Sequence, residues 1–120
     1  MKLIIAGSRH IKLEAAYIDL TLNSLGIRDE VKEIISGGAE GVDWAGEEFS
    51  IDYLDQEAKV FQADWLQGHS AGPARNKVMA AYGDAVLLIW DGRSPGSANM
   101  KLEMLKLKKP IYEVLIKAPQ

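Results

Sequence analysis

The 120-residue sequence contains no cysteine and only two histidines, His10 and His69. The first absence excludes disulfides, thiolate metal sites and a cysteine nucleophile; the second leaves too few imidazoles to build a zinc centre by themselves. Neither a metal nor a cofactor is expected. Basic residues do not predominate, since 14 Lys and Arg stand against 17 Asp and Glu for a formal net charge of −3. Polynucleotide-binding proteins usually carry a basic patch or stripe that releases counterions from phosphates, so this balance predicts no nucleic-acid partner. Long apolar runs are missing as well. The N-terminal stretch 1–6 passes straight into Gly7-Ser8-Arg9-His10, far short of the ~20 residues of a membrane span and too short for the core of a secretory signal. No membrane partner is expected, and the cytoplasm is the expected location.

What is present is an ordinary globular balance, 48% hydrophobic and 26% charged, in a chain long enough for one domain with a real core. Residues 1–120 are read as a single domain. Short apolar runs at 3–6, 33–36, 59–61, 85–90 and 111–114 alternate with longer amphipathic segments. That alternation predicts an α/β fold, a Rossmann-like three-layer sandwich with a parallel five-stranded sheet flanked by helices. None of the runs alternates polar with apolar residues, as expected of strands buried on both faces. Ala15, Ile18, Leu22 and Leu25 mark the first helix, which stops at Gly26. Further helices are predicted at about 43–54, 73–82 and 97–108, and only 63–72 is a long connection.

In such a sheet every strand-to-helix turn lies at the carboxyl edge, where ligands bind at the topological reversal. The turn after the second strand, Gly37-Gly38-Ala39-Glu40-Gly41-Val42-Asp43, has three glycines in five residues. Backbone N–H groups can there approach an anion without a Cβ in the way, with a helix N-terminus behind them; equally, it is a tight connection with Asp43 as a helix cap. It matches neither the dinucleotide fingerprint nor a P-loop. The turn after the fourth strand repeats the theme with Asp91, Gly92, Ser94, Gly96 and Ser97. Asp91 suits ribose hydroxyls, although Ser97 as an N-cap is the plainer reading. Arg75 and Asn76 lie in the first turn of the third helix, at the end that faces a ligand, where Arg75 either offers its planar fork to a phosphate or carboxylate or forms a surface ion pair. Arg9, beside Gly7 and Ser8, is a second candidate. Trp44, Trp65 and Trp90 are each either core or a surface for a base.

Four blocks in one order, Ala6-Gly7-Ser8-Arg9, Ser36-Gly37-Gly38-Ala39-Glu40-Gly41-Val42-Asp43, Ala71-Gly72-Pro73-Ala74-Arg75-Asn76-Lys77-Val78-Met79 and Trp90-Asp91-Gly92-Arg93-Ser94-Pro95-Gly96-Ser97, resemble the SLOG superfamily. Within it, the likeness is to the small YspA-like, cpYpsA-related group of bacteria and phages, a domain of unknown function. The resemblance implies a Rossmann-like sheet, a homodimer and a crevice for nucleotides or NAD-derived molecules such as ADP-ribose. Its enzymatic branch, the LOG-type phosphoribohydrolases, cleaves an N-glycosidic bond with an arginine, matched by Arg75, and a glutamate, at whose position Met100 stands. A thioether cannot stabilise an oxocarbenium-like state or activate water. Glu40, Asp43 and Glu103 are the carboxylates available to replace it. The sequence therefore points first to a binding module for a phosphate-bearing nucleotide derivative, as sensor or sequestering protein. Nucleotide N-glycosidic hydrolysis comes second, and an oligomeric structural domain third.

Overall fold

In the computed structural model, which describes residues 1–117, five strands form one parallel sheet: β1 (Lys2–Gly7), β2 (Glu33–Ser36), β3 (Lys59–Val60), β4 (Ala85–Trp90) and β5 (Ile111–Leu115). Their spatial order is β3-β2-β1-β4-β5. Four α-helices cover it: α1 (Ala15–Ser24), α2 (Val42–Leu54), α3 (Ala71–Tyr82) and α4 (Pro95–Lys106). The fold is a Rossmann-like α/β sandwich.

The sequence makes this sheet because its central strands are apolar through their buried stretches, 3–6 in β1, 34–35 in β2 and 85–90 in β4, so both faces need cover. Leu3, Ile5, Ile34, Leu87 and Ile89 point to one side and pack with Ile18, Leu22, Ala45 and Phe49 of α1 and α2. Ile4, Ala6, Ile35, Val86, Leu88 and Trp90 point to the other and pack with Met79, Met100 and Met104 of α3 and α4. Fully burying one such aliphatic side chain contributes roughly 1.5–3 kcal/mol, and β4 has no exposed residue at all. Two strands depart from the expectation of double burial. β3 is exposed at both residues and β5 only partly covered, because they are the sheet's edges. β3 also stops at Val60, one residue early, although Phe61 N–H still donates to Ser36 O at 2.8 Å.

The helices shift slightly from their predicted bounds. α1 ends at Ser24, leaving Leu25 past its end and 40% exposed. α4 begins at Pro95 with Ser94 in the cap position, so Ser97 lies inside the helix rather than at its start. α3 begins two residues before Pro73, which still sits in the first turn, where its missing N–H is not needed. The connection 63–72 is not irregular. It holds a 3₁₀ segment, Trp65–Ser70, kinked at Gly68 and running into α3. Among the described residues, no helix is long and apolar enough to cross a membrane.

The chain steps outward from β1 through β2 to β3, then returns to lay β4 on the other side of β1. The reversal therefore falls between β1 and β4, whose carboxyl ends open a crevice there.

Candidate functional site

The two turns that leave β1 and β4 are fastened to each other. Ser8 N–H donates to Ile89 O at 3.2 Å, and the buried Ser8 hydroxyl accepts the Asp91 N–H at 3.2 Å and lies 2.8 Å from Ser94 Oγ. Asp91 holds its own turn: Oδ1 accepts the N–H groups of Arg93 and Ser94 at 2.8 and 2.9 Å and the Ser94 hydroxyl at 3.0 Å. These donors, the Arg93 N–H foremost, with His10 Nε2 3.4 Å from Oδ2, bring the Asp91 carboxyl down to about 2. Gly7 is required for the junction, since a Cβ there would overlap the carbonyl oxygen of Ile89.

The glycine turn after β2 is equally occupied. Ser36 Oγ accepts Gly38 N–H at 3.0 Å and donates to Glu47 Oε2 at 2.7 Å. Ala39 N–H donates to Asp43 Oδ2 at 3.3 Å, and Gly38 O accepts the indole N–H of Trp44. Gly41 adopts φ 77°, and a Cβ there would run into the carbonyl oxygens of Ser8 and Arg9. The N–H groups of Gly38 and Ala39, expected to face an anion, are thus held by side chains of their own turn.

Arg75 crosses from α3 to this turn. Its Nη1 donates to Gly37 O at 2.6 Å and its Nε to Asn76 Oδ1 at 3.0 Å. Asn76, buried, then donates from Nδ2 to Gly96 O at 3.2 Å and Asn99 Oδ1 at 3.0 Å. One arginine-asparagine pair therefore ties together the turns that follow β2 and β4. Burial pushes the Asp43 carboxyl up to about 6, against the pull of the Ala39 N–H, the Arg75 guanidinium and the Gly7 N–H. Burial also lowers the affinity of Arg75 for its proton; Asp43 opposes that shift and Arg9 adds to it.

These elements enclose a cavity of about 510 Å³, within the range of small-molecule sites. Ten of the sixteen residues expected to bind ligand line it: Gly7, Arg9, Gly37, Ala39, Asp43, Arg75, Asn76, Ser94, Gly96 and Ser97. Ser8, Gly38, Gly41 and Asp91 stand behind the wall and shape it, Glu40 is exposed outside it, and Gly92 also lies outside it, where a Cβ would meet the Leu115 side chain. Of the three candidate carboxylates only Asp43 reaches the cavity; Glu103 pairs instead with Lys106 at 3.4 Å. Met100 is in the wall and buried, as is Met79, so the floor is apolar. Sequence reasoning did not place Trp65, His69, Pro73 and Asn99 among the binding residues, yet all four line the cavity. Among the described residues no three His, Asp or Glu side chains converge as metal ligands would.

No protein-family model matches the sequence, and no curated protein matches it. Among solved structures, the chain is similar to DNA processing protein A from Helicobacter pylori, reported for its unique single-stranded DNA binding mode. The TM-score is 0.71 at 21% identity, over 100% of this chain and 67% of that one. This corrects the expectation that nucleic acid is excluded as a partner, because a protein of the same fold binds single-stranded DNA. A net charge sums over the whole surface and does not register where cations gather. Arg9 and Arg75 meet at one crevice here despite the overall −3. At that identity the comparison establishes architecture, and the chain is a Rossmann-like α/β domain similar in fold to DNA processing protein A.

Proposed function

We propose that the crevice between the carboxyl ends of β1 and β4 binds a nucleotide or a phosphate-bearing nucleotide derivative, and that the protein acts through that binding as a sensor or sequestering module. The observation that carries the reading is the position of Arg75. It is a partly exposed guanidinium, fixed at one end by Gly37 O and Asn76, in the wall of a cavity at the topological reversal of the sheet. A guanidinium held in this way loses little freedom when it takes up a phosphate. Gly96 and Ser97 open α4 on the same cavity, where backbone N–H groups and the helix dipole favour an anion. The order of the four sequence blocks, with their resemblance to the SLOG superfamily, supports the same ligand class and adds NAD-derived molecules such as ADP-ribose to it.

Hydrolysis of a nucleotide N-glycosidic bond is the second reading, and one observation favours it: Asp43 presents a buried carboxyl, titrating near 6, to the cavity. Met100 speaks against it by standing where the resemblance places the glutamate.

A thermal-shift panel of nucleoside monophosphates, ADP-ribose and a short single-stranded oligonucleotide, run on wild type and Arg75→Ala, tests the binding reading. A ligand of the folded state adds about 2.7 kcal/mol at a hundredfold excess over its dissociation constant, and Arg75→Ala removes most of that gain. A panel in which no probe raises the midpoint defeats the reading and leaves the domain as a structural unit. Stabilisation by the oligonucleotide alone assigns the crevice to a polynucleotide strand.

A further inference from the structure

We infer that Trp65 is the platform on which this crevice takes a planar aromatic ring, so that its occupant carries a nucleobase and is not a bare sugar phosphate. The inference rests on the nucleotide-binding reading and adds the base to it.

The three tryptophans are used differently. Trp90 is buried in the sheet, with its indole N–H on Glu113 Oε2 at 2.8 Å. Trp44 lies on α2 outside the cavity and donates to Gly38 O at 3.3 Å. Trp65 lines the cavity while 57% exposed, and among the described residues its N–H has no protein acceptor and its ring no aromatic or cationic neighbour. A large apolar face left open to water at the rim of a cavity is the feature that needs explaining.

Its placement is built. Asp64 Oδ1 accepts the Leu66 N–H at 3.3 Å and Oδ2 the Gln67 side-chain amide at 3.0 Å, which fastens the start of the 3₁₀ segment. The missing side chain at Gly72, where a Cβ would lie 3.3 Å from Trp65 Cη2, lets the ring rest against the first turn of α3. From there Trp65 and Arg75 face one cavity whose floor is Met79 and Met100, which offers a flat ring, a cation and a dry floor to one molecule. A base has a π-face and a nucleotide has a phosphate; ribose 5-phosphate has only the second. Base–aromatic stacking changes affinity by roughly 5- to 150-fold.

Calorimetric titration of the intact chain with the four common nucleoside 5′-monophosphates and with ribose 5-phosphate separates the two contributions. In wild type at least one nucleotide is expected to bind about tenfold or more tightly than ribose 5-phosphate. Trp65→Ala should bring that nucleotide down to the ribose 5-phosphate level without moving ribose 5-phosphate itself, and Trp65→Phe should keep most of the gap. Quenching of indole fluorescence on binding, lost in Trp65→Phe, is the independent readout. Equal binding of nucleotide and ribose 5-phosphate by wild type, or a gap that survives Trp65→Ala, overturns the role of Trp65 while the phosphate site stands. Failure of all five probes to bind, with no thermal shift from ADP-ribose, overturns both.

Discussion

Replacing Asp43 by Asn exposes how the crevice handles a carboxylate sealed inside it. The unfolded carboxyl titrates near 3.8 and the folded one near 6, so the native state holds the proton more tightly than the unfolded chain does. The stability that comes with the proton is fully present below pH 3.8 and is lost as the pH rises through 6. A displacement of that size corresponds to about 3 kcal/mol, of which about 2 kcal/mol fall between pH 4.5 and 7.5. Asp91 works in the opposite sense, since its stabilisation is lost only as the pH falls towards about 2, below this window. Asparagine keeps the shape and an acceptor for the Ala39 N–H and removes the charge. Urea denaturation of both proteins at pH 4.5 and 7.5 gives the comparison, because groups other than Asp43 cancel in the difference between them. The difference should move by about 2 kcal/mol in favour of Asp43→Asn on going to pH 7.5. A difference that is the same at both pH values refutes the burial of an ionisable carboxyl at this position.

Two glycines in the crevice wall, Gly7 at the end of β1 and Gly96 in the first turn of α4, should separate in stability. Gly7→Ala, with its Cβ against Ile89 O, is expected to cost about 3 kcal/mol or more in urea denaturation. Gly96→Ala, where nothing lies within 4 Å, should be neutral or stabilise by about 0.4–1 kcal/mol. Arg75→Ala should weaken a phosphate-bearing nucleotide by about 1.5–3 kcal/mol by calorimetry, with Arg75→Lys recovering part; equal binding by Ala and wild type would make Arg75 a purely structural clamp. Wild type should release little free base from AMP by chromatography, because the loss of a positioned acid or base forfeits about 10²- to 10⁴-fold in rate. Efficient release abolished by Asp43→Asn would replace the binding reading with the hydrolase one.

The sequence was most legible where one residue type satisfied every constraint at once. β2 and β4 occupy 33–36 and 85–90 as expected, because the six apolar residues of β4 have no other low-energy home in a short chain and β2 sets the adjacent Ile34 and Ile35 between polar ends. The edge strands were read as buried for the same reason, since a run of apolar residues does not say how many neighbours it will have. The segment Trp65–Ser70 was not legible as a helix: six residues with Gly68 at their centre carry no periodicity. For the same reason nothing in the sequence assembles Trp65 and His69 into one site. The glycine turn after β2 illustrates a different limit. Its composition announced free N–H groups, but whether Ser36 and Asp43 would claim them depended on side-chain directions that spacing does not encode. Asp91 likewise read as a ribose acceptor and serves as the lock of its own turn.

The pairing of β1 with β4 also dictates how the molecule must assemble in time. Lys2 N–H donates to Asp84 Oδ2 at 2.7 Å across 82 positions of sequence, and Leu3 lies beside Ala85. A contact of that separation carries a large loop-closure entropy and forms late, after the local β1-α1-β2 unit has had time to collapse. The walls of the crevice come from both sides of that seam, Gly7 and Asp43 from the early part and Ser94 to Ser97 from the late one. During synthesis the growing chain therefore lacks one wall of the crevice until β4 and the turn beyond it have emerged and inserted. Ligand capture then becomes a kinetic marker of topological completion, and added ligand should slow unfolding while leaving the rate of refolding unchanged.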